Sequence, residues 1–201
     1  MVCFMFAVLD APNRAGSPQY GTAMRALFAI GNASGSLNAE CVASRAAMAD
    51  SSPYDCLFPQ YHGQFVKAPV RVTQSVYDAW QLPNVLGLGC SPPSGQCSAT
   101  QLADFQHYRN LTLAGLRDAK LLTPAPGGGA WVDSCIAHVQ GYDGDFGDNS
   151  DFRIPGGTGV TVAESLKQWV ASNVNGAVLD ANNYHVDQVP WPLNKPCSGL
   201  Q

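Results

Sequence analysis

The chain has 201 residues, 46% of them hydrophobic and only 13% charged, with a formal net charge of −4. It can bury one sizeable core, so a single domain is the default and a fully disordered chain is excluded. Its few Lys and Arg residues are scattered along an acidic chain, which excludes the basic footprint that a nucleic-acid backbone or an anionic membrane surface would require.

The opening apolar run, residues 1–9, stops at Asp10 and is too short to span a bilayer. It lacks a basic n-region and a small-residue cleavage site, so it reads as a buried strand over 2–9 rather than a signal peptide. After a loop with Pro12, Gly16 and Pro18, the spacing of Met24, Leu27, Phe28 and Ile30 predicts a helix over 20–30. Residues 31–64 are rich in Gly, Ser, Asn and Pro and predict an irregular excursion around a short helix at 40–48. The β-branched run 65–76 reads as a strand that delivers Tyr77 and Asp78 at its C-terminal end.

From Ser98, an N-cap, the order Leu102, Phe105, Leu113, Leu116 predicts an amphipathic helix reaching about residue 120. Residues 124–129 break the chain, and 130–136 read as a second strand with His138 just past its end. A Gly- and Asp-rich loop follows over 141–159; its aspartates lack the far-end ligand and helical flanks of a calcium hand and read as a solvated acidic loop. Thr161 and Glu164 have the spacing of a capping box, with Leu166, Trp169 and Val170 as the buried stripe of a last helix stopped at Asn175 and Gly176. The tail from 177 to 201, with three prolines and Cys197, reads as an ordered coil.

The seven cysteines stand far apart without a Cys-x-x-Cys pair and the four histidines are equally dispersed, so no zinc site is expected. Cys90 and Cys97 bracket a turn-rich segment that a short disulfide loop would hold, which points to an oxidising compartment. Two glycosylation acceptor triplets, at Asn32 and Asn110, agree with secretion. The odd count leaves one thiol over, which a partner outside this chain would explain.

Strand, Asp78, helix, strand, His138, helix is a β–α–β–α succession, which favours a parallel sheet with helices on its faces. Residues beyond the carboxyl ends of such strands line the functional crevice. The order also matches the end of a Ser…Asp…His triad: the carboxylate would fix the imidazole tautomer, and the imidazole would shuttle the nucleophile's proton to the leaving alcohol. Each residue also has a plain structural reading, Asp78 as a turn or helix cap and His138 as a satisfied core or surface residue.

Val76-Tyr77-Asp78-Ala79-Trp80-Gln81-Leu82 resembles the Tyr-Asp-Ser-Trp-Gln segment of pectin acetylesterases and the corresponding Asp-Glu-Ala-Gln of the animal carboxylesterase Notum. Ser134-Cys135-Ile136-Ala137-His138-Val139-Gln140 is similar to the family's Ser-Cys-Phe-Ala-His-Cys-Gln, and Cys56-Leu57-Phe58-Pro59-Gln60-Tyr61 to its Cys-Phe-Phe-Pro-Gln-Tyr. Between them Cys90, Cys97, Ser98, Gln101, Leu102 and Arg109 fall where plant members carry similar residues.

The resemblance implies an α/β-hydrolase-like parallel sheet with flanking helices, lacking its N-terminal strands. It implies Asp78 as triad acid, His138 as triad base, and disulfides Cys41–Cys56, Cys90–Cys97 and Cys135–Cys197; with these pairings the thiol left over is Cys3. The implied activity is hydrolysis of O-acyl esters on a polysaccharide or other acylated substrate by a secreted enzyme that needs no metal or organic cofactor.

Two departures accompany it. Val139 stands in place of the family's second cysteine, and no Gly-x-Ser-x-Gly elbow occurs in the 201 residues; Ser17, Ser34 and Ser36 have unsuitable flanks. The expectation is therefore a chain with acid and base but no nucleophile, a poor catalyst by itself, with an unpaired apolar sheet edge that lowers its solubility. The competing readings are a catalytically inactive secreted glycan- or lipid-binding domain and a cytosolic domain with reduced cysteines.

Overall fold

The structure is a computed structural model that describes residues 3–5, 7–90, 97–138, 153–154 and 159–193. In chain order its elements are β1 (Cys3–Met5), α1 (Gln19–Ile30), α2 (Ala39–Ala46), α3 (Pro59–His62), β2 (Val70–Ser75), α4 (Gln81–Asn84), α5 (Ala99–Asp118), β3 (Gly129–Asp133), α6 (Val162–Asn173) and β4 (Tyr184–Val186). The four strands form one all-parallel sheet in the order β1-β2-β3-β4, with Val72 of β2 opposite both Met5 and Ala130.

The period of two along the central strands divides the molecule into layers. Val72 and Val76, with Ala130 and Val132, turn to one face, where they join Phe105, Tyr108, Leu113 and Leu116 of α5 in the main core. Arg71, Thr73 and Trp131 turn to the other face, beneath α6, where the Arg71 guanidinium donates to Thr73 Oγ1 at 2.7 Å and Ser165 Oγ at 2.9 Å. Gly129 is required under α6: a Cβ there would lie 2.6 Å from Trp169 Cδ1.

Helix starts follow the side-chain caps read from the sequence. Ser98 and Gln101 form a reciprocal capping box on α5, and Thr161 and Glu164 form one on α6. Cys41–Cys56 ties α2 to the short helical turn Pro53–Leu57, and Cys90–Cys97 closes the loop before α5. Cys135 is disulfide-bonded as well; its expected partner Cys197, like the acidic segment 143–148, lies outside the described residues.

Several expectations need correction. The opening strand spans three residues, not 2–9, because the chain from Ala7 to Leu9 is held by glutamine side chains instead of a ladder. The second and third strands are also shorter, Val70–Ser75 and Gly129–Asp133. Helix α1 does not bury Leu27 and Ile30, which are exposed. Its inner positions are 21, 24, 25 and 28, where Gly21 admits Asp10 at close range and Arg25 pairs with Asp10 and Asp55. Val170 of α6 is likewise exposed, and the buried pair is Ser165 and Trp169. The tail is not coil throughout: Tyr184-His185-Val186 adds β4 beside β3, a strand too short to show a period in the sequence.

Candidate active site

Both strand ends expected to carry chemistry lie side by side. The loops that follow β2 and β3 are stitched together by Val76 N to Asp133 O at 2.9 Å and Ala79 N to Ala137 O at 3.1 Å. The Ser75 hydroxyl adds a further bond to the Cys135 carbonyl. The stitching brings Asp78, three residues past β2, against His138, five residues past β3.

His138 Nδ1 lies 2.9 Å from both Asp78 Oδ1 and Oδ2. An ionised carboxylate only accepts, so Nδ1 carries the proton and the Nε2 lone pair is left available as a base. Asp78 is buried, whereas the His138 side chain keeps 34% of its surface exposed, so the carboxylate lies inside and the imidazole reaches the surface.

Three further donors hold the carboxylate. Asp78 Oδ1 accepts from the backbone N–H groups of Trp80 (3.0 Å) and Gln81 (2.8 Å), and Oδ2 from Gln74 Nε2 (3.3 Å). The same Asp78 carboxylate thus takes up the two N–H groups that lead into α4 and meets the His138 ring. These amides compensate the burial of the charge.

Sequence reasoning passed over the residues that fix this loop. The Gln81 side chain accepts from Leu9 N at 3.1 Å and from Tyr108 Oη at 2.5 Å, and donates to Ala7 O at 3.0 Å. Gln74 accepts from Ala7 N at 2.8 Å. Two buried amides therefore bind the segment after β1 to the Asp78 loop. Burial and the nearby Asp78 charge push the Tyr108 phenol well above its ordinary value, which keeps it a donor. The signal that could have found Gln74 is a polar residue at an inward position of a β-branched strand, between Val72 and Val76.

Trp80 stacks on His138 with ring centroids 6.0 Å apart and planes 23° apart. Among the described residues, no hydroxyl or thiol is hydrogen-bonded to His138 Nε2. Ser17, Ser34 and Ser36 are exposed, and Ser36 Oγ donates to Ala33 O at 2.7 Å. Among the described residues no group of three or more His, Cys, Asp or Glu is placed to hold a metal ion, and no helix is long and apolar enough to cross a membrane. Both glycosylation candidates are exposed: Asn32 follows α1 with φ 47°, and Asn110 lies on α5.

The family model for pectinacetylesterase matches residues 7–198. Pectin acetylesterase 11 of Arabidopsis thaliana is 34% identical over 116 residues, covering 53% of this chain and 27% of the relative. Pectin acetylesterase 5 of the same plant is 23% identical over 202 residues, covering 96% of the chain and 43% of the relative. The crystal structure of the Wnt deacylase Notum from Drosophila superposes with a TM-score of 0.69 at 19% identity, over 96% of this chain and 46% of that one. The fold is therefore that of an α/β hydrolase of the Notum kind, and the chain spans less than half the length of each of these relatives.

Proposed function

The chain belongs to the pectinacetylesterase family, and from that premise we propose that it carries the acid and the base of a carboxylic-ester hydrolase acting through a Ser-His-Asp mechanism. The family supports esterase-type chemistry. The observation that carries the finer reading is the contact of His138 Nδ1 with the buried Asp78 carboxylate, which leaves Nε2 as the free basic nitrogen at a partly open surface.

In this mechanism Nε2 removes the proton of a serine hydroxyl as its oxygen attacks the ester carbonyl. Asp78 holds the imidazole in its tautomer and stabilises the imidazolium. His138 then returns the proton to the departing alcohol, and a second round with water frees the acid and the serine. The serine is proposed to lie outside these 201 residues, because the sequence contains no Gly-x-Ser-x-Gly elbow. The oxyanion amide that follows that serine would lie outside with it. The substrate class is an O-acylated polysaccharide or glycoprotein, acetyl esters first, met by a secreted protein at the cell wall.

The same missing elbow favours a second reading, a catalytically inactive secreted domain that binds a glycan or a lipidated ligand.

A fluorophosphonate probe with intact-mass readout separates them. The 201-residue chain should take up no probe, whereas a longer version with an in-frame elbow should be labelled on one serine and hydrolyse acetyl esters. Within that version, His138→Ala should lower kcat about a thousandfold or more. A stoichiometric adduct on the 201-residue chain would overturn the claim about the serine, and a longer form without esterase activity would support the binding domain.

A further inference from the structure

We infer that Trp80 is a positioning residue for His138, fixing the imidazole against rotation out of the plane that its hydrogen bond defines. The bond to Asp78 holds Nδ1 but leaves the ring free to turn about the line joining the nitrogen to the carboxylate. His138 sits five residues beyond β3 with a third of its side chain in solvent, and among the described residues Asp78 is its ring's hydrogen-bond partner. The indole supplies the missing direction: its ring lies 6.0 Å from the imidazole at 23°, within the range where aromatic pairs attract.

Trp80 is itself held. Its backbone N–H donates to Asp78 Oδ1 at 3.0 Å, its carbonyl accepts from Asn84 Nδ2 at 2.7 Å, and Tyr20 meets it edge-on at 5.8 Å and 75°. Asp78 and Trp80, two residues apart on one loop, thus hold His138 at its ring nitrogen and at its ring face. The face of an indole also favours a cation over a neutral ring, so the support is strongest when the imidazole carries the extra proton. Trp80 keeps 37% of its own surface exposed, which makes its replacement tolerable to the fold.

The inference rests on the ester-hydrolase reading for its purpose, but its test needs no hydrolysis. The readout is the rate at which the His138 Nδ1 proton exchanges with water, followed by NMR on the 201-residue chain labelled with ¹⁵N-histidine. Trp80→Leu and Trp80→Met, which keep bulk but remove the ring, should speed exchange roughly three- to tenfold, the factor expected from losing one aromatic pair. Trp80→Phe should stay within about twofold of the parent, because it keeps the stack. Asp78→Asn, which removes the acceptor charge, identifies the resonance by accelerating it further.

Unchanged exchange in the Leu and Met variants, or a Phe variant as fast as they are, would overturn the role of Trp80. Neither result bears on the ester-hydrolase reading, which the fluorophosphonate experiment decides separately.

Discussion

Gln81 concentrates more structural consequence than any charged residue near the site. Its buried amide holds Ala7 and Leu9 on one side and Tyr108 on the other, while its backbone N–H caps Asp78. Replacing it by Leu leaves a buried N–H, a carbonyl and a phenol without partners, each costing about 1–3 kcal/mol. Gln81→Leu should therefore lower the unfolding free energy by at least about 2 kcal/mol in urea titration, whereas Tyr108→Phe, which removes a single bond, should cost about 1 kcal/mol. At this scale the sequence showed the two residues that meet and hid their supports. Asp78 and His138 were legible from strand ends and from the resemblance, but a glutamine's two-sided bonding depends on which segments the fold brings to it.

At the scale of elements, the two capping boxes and the face beneath α6 carry the clearest tests. Ser98→Ala and Thr161→Ala should each cost about 1 kcal/mol, since each removes the side chain that satisfies a free amide at a helix start. Gly129→Ala should cost about 1–3 kcal/mol, because the added methyl has nowhere to go but into the Trp169 ring.

Arg71 behaves differently. Burial lowers its guanidinium to about 10, and its hydrogen bonds go to hydroxyls, with no carboxylate in contact among the described residues. The folded value lies below the unfolded one, so the charge costs stability at neutral pH and the cost is relieved as pH rises through the folded value. Arg71→Met should leave stability unchanged or raise it by up to about 2 kcal/mol in the same urea titration. Element positions were legible where caps and periodicity coincide, in α5 and α6. They were not legible where three residues make a strand, as in β4; for α1 the position was legible but not the inner face, where Gly21 and Arg25 turn inward.

Across the whole molecule, the Cys41–Cys56 disulfide and the state of two histidines set how stability responds to conditions. Cys41–Cys56 closes a loop with a sequence separation of 15, for which chain entropy alone gives about 3 kcal/mol. Replacing both cysteines by alanine should lower stability by that order. Burial holds His62 below its ordinary value, against the opposing backbone bonds of Cys56 and Phe58; burial and then the Arg71 charge do the same to His185. Above about pH 6.5 both states hold these rings neutral. Below it the unfolded chain takes protons that the folded chain refuses, so stability falls as the pH drops from about 6.5 towards the folded values. The urea midpoint should accordingly decrease between pH 7.5 and 5.5, and by less in His62→Gln and His185→Gln.

The sequence by itself determined the class of fold, the starts of α5 and α6 and the two residues that meet beyond the strand ends. Each of these follows from local chemistry: a side chain reaching its own helix terminus, a β-branched run, a short motif of fixed spacing. Only the tertiary structure decided that β4 pairs with β3, that α1 turns Arg25 inward and Leu27 outward, and that Gln74, Gln81 and Trp80 surround Asp78 and His138. Those outcomes depend on partners 67 residues away, as in the bond from Ala7 to Gln74. The energy of a buried amide or a stacked ring is set by what the folded chain brings against it, and short-range pattern carries no record of that.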